Sequence, residues 1–255
     1  MCRFFIALYL VAISADSIAL SYQSENFTIE YEENVPYEVI EKLASRVEEN
    51  RKVVLGFLNR SSEYNGTPIK ESLVVHVSKT KRTPYQHWNT IHIPEKRVLA
   101  AFAKNDSKDK GMAVIHELTH VYAVSAYRKK IKNGHEDRFY DDGLAVYLQH
   151  EFGEKPEYPD FGTNLYRAVY KLAEKYGSLI PLAKAEDVRH ASKSGVGRQL
   201  AYLQEGAFTN FLIENYGLSA YLKIYNGASP KSVTGKSFST LETEWQNFVS
   251  LFADN

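Results

Sequence analysis

The chain changes character near residue 111. Ahead of that point, alternating or short β-branched apolar runs flank a single helical stretch; behind it apolar residues keep helical spacing almost to the end. Strands grouped first and helices grouped after imply an α+β fold with segregated parts, not an alternating α/β sheet. Phe27 to Tyr31 reads Phe-Thr-Ile-Glu-Tyr, the period-two pattern of a half-buried strand. Pro36 suits the first turn of a helix, and Val39, Ile40, Leu43, Val47, Val53, Val54 and Leu58 keep helical spacing behind it. Residues 60–67 are turn-like. Ser72 to Val77 is rich in β-branched residues and fits a central strand. A strand pair is expected at Thr90–Ile93 and Arg97–Phe102, joined around Pro94 and Glu95, ahead of a polar loop at 105–111.

Helices are expected near 111–127, 140–152, 163–176, 197–215, 217–225 and 239–252. Gly177 and Gly217 suit C-terminal caps, and Ser239-x-x-Glu242 reads as a capping box. With 44% hydrophobic residues the chain carries enough apolar material for one sizeable core. The expected organisation is one domain over 20–255. Its first part, 20–110, is a helix with a small mixed sheet; its second, 111–255, is mainly helical.

The first residues read as an export leader. Arg3 precedes an apolar run from Phe4 to Ala15, too short to span a bilayer but suited to a secretory core segment. Small-residue sites predict cleavage after Ala19 or Ala15, so the leader is taken as 1–19 and the destination as periplasmic or extracellular. After its removal no long apolar stretch remains to hold the protein in a membrane. Cys2 is the only cysteine and leaves with the leader, which excludes disulfides and thiolate ligands from the remainder. Asn26, Asn59, Asn65 and Asn105 begin Asn-x-Ser/Thr sites. Lys plus Arg and Asp plus Glu are both 31, so nothing points to nucleic acid as a partner. The basic run Arg128-Lys129-Lys130-Ile131-Lys132 reads as a solvated helix end, and a monomer is expected.

Residues 116–120 read His-Glu-Leu-Thr-His inside an apolar helical run. Residues four apart share a helix face, so His116 and His120 point the same way. Two imidazoles at that spacing bind one zinc ion, and Glu117, at the edge of the same face, serves as base toward an activated water. A buried pair of histidines otherwise needs hydrogen-bond partners, which is the plain alternative.

Downstream lies Asp142-Gly143-Leu144-Ala145-Val146-Tyr147. Together with the His-Glu-Leu-Thr-His helix, it resembles gluzincin metallopeptidases, in particular the exported peptidase-MA-like family. There a Glu-Gly-Leu-Ala-x-Tyr segment supplies the third zinc ligand. The resemblance implies a thermolysin-like catalytic domain with the zinc site between its two parts. It implies hydrolysis of peptide or protein substrates with Zn2+ as cofactor. The matching position is Asp142, 22 residues after His120. Asp is one carbon shorter than Glu, so the second helix must come closer, or Asp141 must contribute; an N-cap role for Asp142 is the alternative. Residues 201–208, then Phe211-Leu212 and Tyr216-Gly217, resemble the family's tyrosine-bearing helix, and Leu241 to Trp245 its terminal helix. Tyr202 is the candidate oxyanion donor, or else a core aromatic. No third His follows at short spacing, so the metzincin pattern is absent. No Gly-x-Met-Glu-Asn stretch, the amine-binding signature of the related aminopeptidases, is present, which favours an endopeptidase over an aminopeptidase. A non-catalytic zinc-binding domain of the same fold, or an exported interaction protein, are the competing functions. Trp88 to Ile91 is the expected edge strand for substrate. His76, His87, His92, His135, His150 and His190 lack ligand spacing and read as surface or satisfied residues.

Overall fold

The computed structural model describes residues 19–80, 82–102, 111–125, 127–130, 136–192 and 195–253. The leader short of Ala19, Cys2, Asn105, His135 and residues 105–110 of the expected polar loop lie outside these.

Five strands form one mixed sheet: β1 (Ala19–Gln23), β2 (Phe27–Glu32), β3 (Leu73–Ser78), β4 (Tyr85–His87) and β5 (Thr90–Pro94), in the order β1-β2-β3-β5-β4. β3 occupies the centre and runs parallel to β2 and β5, while the two outer strands run antiparallel to their neighbours. Alternation puts Ile29, Val75, Val77, Ile91 and Ile93 into the core and leaves Glu30, His76 and His92 half-buried or exposed on the other face. Helix α1 (Tyr37–Leu58) links β2 to β3, as a parallel pair requires. It sinks Ile40, Leu43, Val47 and Val54 into the same core. Each such side chain contributes roughly 1.5–3 kcal/mol of burial.

Two sequence expectations fail here. Residues 97–102 are not a strand: Glu95–Phe102 is helix α2. Pro94 ends β5, and Lys96, Arg97, Leu99, Ala100 and Ala101 are good helix formers whose short run imitates alternation. Nor is Trp88 to Ile91 the sheet edge. β4 is the edge, Trp88 and Asn89 form its turn, and Thr90 and Ile91 sit one strand inward.

The remaining elements are helical: α3 (Val114–Ala123), α4 (Phe139–Phe152), α5 (Leu165–Tyr176), α6 (Ala185–Ala191), α7 (Val196–Tyr225), α8 (Pro230–Thr234) and α9 (Phe238–Ser250). The sequence reading contains α3, α4, α5, α7 and α9 but not the short α6 and α8. α7 breaks at Gly217, whose φ of 84° is left-handed, so the two expected helices meet there. Gly177 caps α5, also with a positive φ, in the αL conformation. The cap of α9 is Ser237, whose Oγ accepts from Thr240 N; the expected box at Ser239 is not used, and Glu242 accepts from Leu182 N instead.

α4 is buried on every side from Asp141 to Gln149 and forms the centre of the helical part. It lies close against α7 through glycines on both helices. A Cβ on Gly143 would stand 2.8 Å from the Glu205 carbonyl oxygen, and one on Gly206 2.9 Å from Val146 Cβ. This close approach sets where the acidic start of α4 sits.

Candidate metal centre

α3 supplies the paired histidines. Its N-cap, Ala113, is left-handed and has no capping side chain of its own. Glu157 from the α4–α5 loop does that work, accepting from Ala113 N at 3.2 Å and from Gln149 Nε2 at 2.9 Å. The helix spacing then stacks His116 over His120, their ring centres 4.9 Å apart and nearly perpendicular.

α4 brings the third group. Asp142 Oδ1 lies 3.3 Å from His120 Nε2 and 3.9 Å from His116 Nε2. One ligand atom from each of the three residues falls within 4.8 Å of the others. Asp142 lies inside α4, whose N-cap is Arg138, so the N-cap alternative for Asp142 does not hold. Asp141 turns to the far side of the ring, 3.0 Å from His120 Nδ1. A carboxylate there fixes which imidazole nitrogen faces the centre. Two imidazole nitrogens and one carboxylate oxygen are a donor set that fits a zinc ion, and of the three residues His116 lines a cleft.

The cleft has a volume of about 430 Å³ and is lined by His116, Glu117 and Tyr202 together with Pro84 before β4 and the loop at 156–161. Burial pushes the Glu117 carboxyl up to about 7, with His120 opposing. Burial also pushes His116 down to about 3, helped by the neighbouring His120. Burial acts in the same direction on His120, but Asp141 beside it prevails and raises it to about 9.

Three arginines, one of them the buried Arg189, hold the two aspartates. Arg138 Nη2 and Arg128 Nη2 lie 3.0 and 3.1 Å from Asp141 Oδ2, and Tyr225 donates to Asp141 Oδ1 at 2.8 Å. Arg189 Nη2 lies 2.7 Å from Asp142 Oδ2. Burial disfavours both carboxylate charges, yet these cations and His120 keep both aspartates well below the usual carboxylate range. Arg128 is therefore not part of a solvated helix end: α3 stops at Ala123 and the side chain returns to the centre. Arg138, Arg189 and Tyr225 are absent from the sequence reading. Arg138, one turn before Asp142, carried a local signal; Arg189 and Tyr225 carried none.

A second acidic group, Asp142, Glu186 and Glu205, surrounds the Arg189 guanidinium. Arg189 donates to Glu186 from Nε at 2.8 Å and from Nη2 at 2.7 Å, and its Nε is 3.7 Å from Glu205. A cation from the chain itself thus fills that cage.

Tyr202 packs its ring 6.3 Å from His116. Its hydroxyl accepts from Arg189 Nη1 at 3.1 Å and from Arg198 Nη2 at 3.2 Å. Burial, and then Asp142, push the phenol up to about 12. The other histidines behave as expected where described: His150 Nδ1 is 3.0 Å from Asp160, and His76 and His92 meet at 3.2 Å between Nδ1 atoms.

No family model matches the chain, and no curated protein is similar to it. Among solved structures, it is similar to a two-domain M1 zinc metallopeptidase variant bound to L-arginine. The identity is 14% and the TM-score 0.33, over 90% of this chain and 48% of that one. An M1 zinc metallopeptidase variant from Deinococcus radiodurans matches at 14% identity and TM-score 0.33, over 93% of this chain and 51% of that one. The chain thus spans about half the length of these neighbours, and likeness at this level carries no argument about activity, which rests on the site itself.

Proposed function

We propose that the protein is a zinc-dependent peptidase with a thermolysin-like arrangement of its catalytic groups. The observation that supports this is the convergence of His116 Nε2, His120 Nε2 and Asp142 Oδ1, with His116 and the neighbouring Glu117 lining an open cleft. A zinc ion bound there supplies an electrophile and an acidified water. The chain's own groups then divide the work. Glu117, its carboxyl lifted toward neutrality, accepts the proton of the attacking water and delivers it to the leaving nitrogen as the C–N bond breaks.

Tyr202 stabilises the oxyanion. Its oxygen already accepts from two guanidinium groups, and among the described residues none accepts its hydrogen, which is left to be donated into the cleft. Cleavage within chains is the expected mode, and the leader read at 1–19 would carry the enzyme out of the cytoplasm.

The test is metal analysis followed by peptide hydrolysis. One zinc per chain, chelator-sensitive cleavage, and loss of about 10²–10⁴-fold in Glu117→Gln with zinc content unchanged are expected. Protein without stoichiometric zinc, or cleavage untouched by Glu117→Gln, overturns the reading.

A further inference from the structure

An aromatic ladder runs from solvent to His116. Phe161 meets Tyr158 edge-on at 6.0 Å, Tyr158 meets Tyr202 edge-on at 6.0 Å, and Tyr202 meets His116 at 6.3 Å. The inner rings are buried or nearly so, while Tyr158 is 43% and Phe161 55% exposed, both on the cleft wall.

Looseness does not account for that exposure. The loop carrying both rings is pinned by its polar residues. Glu157 caps α3, Asp160 lies 3.0 Å from His150 and accepts from Gly162 N, and Gln199 Nε2 donates to the Pro159 carbonyl at 2.7 Å. Phe161 also has φ of 50°, a left-handed conformation that disfavours large side chains. A strained backbone thus presents a large apolar ring to water, at the mouth of the cleft. Unfavourable features retained together in this way mark functional positions.

The charged groups of the same wall have internal partners. Arg198 donates to the Arg189 carbonyl at 2.6 Å and to Tyr202, Arg97 donates to the Gly111 carbonyl at 2.5 Å, and Glu157 is held by Ala113 N and Gln149. What the wall offers an incoming chain is ring surface, extended by Pro156 and Pro159.

We infer that Tyr158 and Phe161 form a specificity subsite that takes a bulky apolar or aromatic side chain flanking the scissile bond. This rests on the peptidase reading. An extended peptide whose carbonyl reaches the His116 end of the ladder lays a neighbouring side chain along it, where edge and face contacts between rings are favourable.

The experiment has a binding arm and a cleavage arm. Zinc-loaded Glu117→Gln protein is titrated into fluorescent peptides identical except for Phe, Ala, Asp or Lys at one position. The Phe peptide is expected to bind about tenfold tighter than the Asp or Lys peptide, and Phe161→Ser or Tyr158→Ser in the same background to abolish that difference. Equal affinities, or a preference unchanged in both variants, overturn the subsite. Wild-type protein is then given the same peptides. Cleavage without side-chain bias overturns the subsite and leaves the peptidase reading standing. Binding that prefers Phe through Phe161, with no peptide cleaved, supports the ring subsite and overturns the peptidase reading.

Discussion

Arg189 Nη2 lies 2.7 Å from Oδ2 of Asp142, and this turns the other oxygen, Oδ1, toward His120 Nε2 at 3.3 Å. Arg189 thus holds one oxygen of Asp142, and the other faces both histidine rings. The same guanidinium donates to the Tyr202 hydroxyl, so one side chain links Asp142 to Tyr202.

Arg189→Lys keeps the charge and loses the fork that serves Asp142, Glu186 and Tyr202 together. Zinc affinity is expected to fall about tenfold or more, read by competition with a chromophoric chelator. Undiminished affinity would show that Asp142 needs no such clamp.

Gly143→Ala tests the helix spacing behind the ligand. The new Cβ would meet the Glu205 carbonyl oxygen at 2.8 Å, and backbone cannot yield as a flexible side chain can. Denaturant unfolding of the metal-free protein is expected to lose about 1–3 kcal/mol. Zinc affinity is expected to weaken with it, because Asp142 is the adjacent residue. Retention of both would show that α4 and α7 part at no cost to the site.

On the proposed reading, Tyr202→Phe removes the hydroxyl that donates to the oxyanion. kcat is expected to drop on the order of 10²-fold while KM and zinc affinity change little. An equal effect on KM would assign Tyr202 to ground-state binding.

The outer sheet face carries a pH-dependent group, His92. Burial, and then the neighbouring His76, hold His92 below the ordinary histidine value of 6.5. Between its folded value and 6.5 the unfolded chain binds the extra proton, so stability rises with pH there. The contribution of neutral His92 is complete above 6.5 and is lost as pH falls toward the folded value. His92→Phe, which keeps a ring against Tyr85 at the stacking position, is expected to flatten the fall in stability between about pH 7 and 5. A slope identical to wild type over that range would place the titration elsewhere.

Much of the fold was legible because its signals are local. The alternation in Phe27 to Tyr31, the helical spacing of residues 39–58 and the break at Gly217 each depend on neighbours within one or two turns. The errors have the same origin. Residues 97–102 alternate over too short a run to separate periods of 2 and 3.6, and Ser237 lies close enough to Ser239 for either to read as the cap. β1 escaped because it begins at Ala19, the last residue assigned to the expected leader.

At the candidate site the division is sharper. That His116 and His120 share a face with Glu117 beside them follows from helix geometry alone, so the sequence determined it once residues 114–123 were helical. That Asp142 reaches them, and that Asp141 serves the outer side of His120, depended on how closely α4 packs on its neighbours. The cage of Arg128, Arg138 and Arg189, and the rings of Tyr158 and Phe161 on the cleft wall, likewise join segments far apart in the chain. Periodicity reports which face a residue occupies on its own element. Which distant charge or ring meets that face is set by tertiary packing, and only the folded chain decided it.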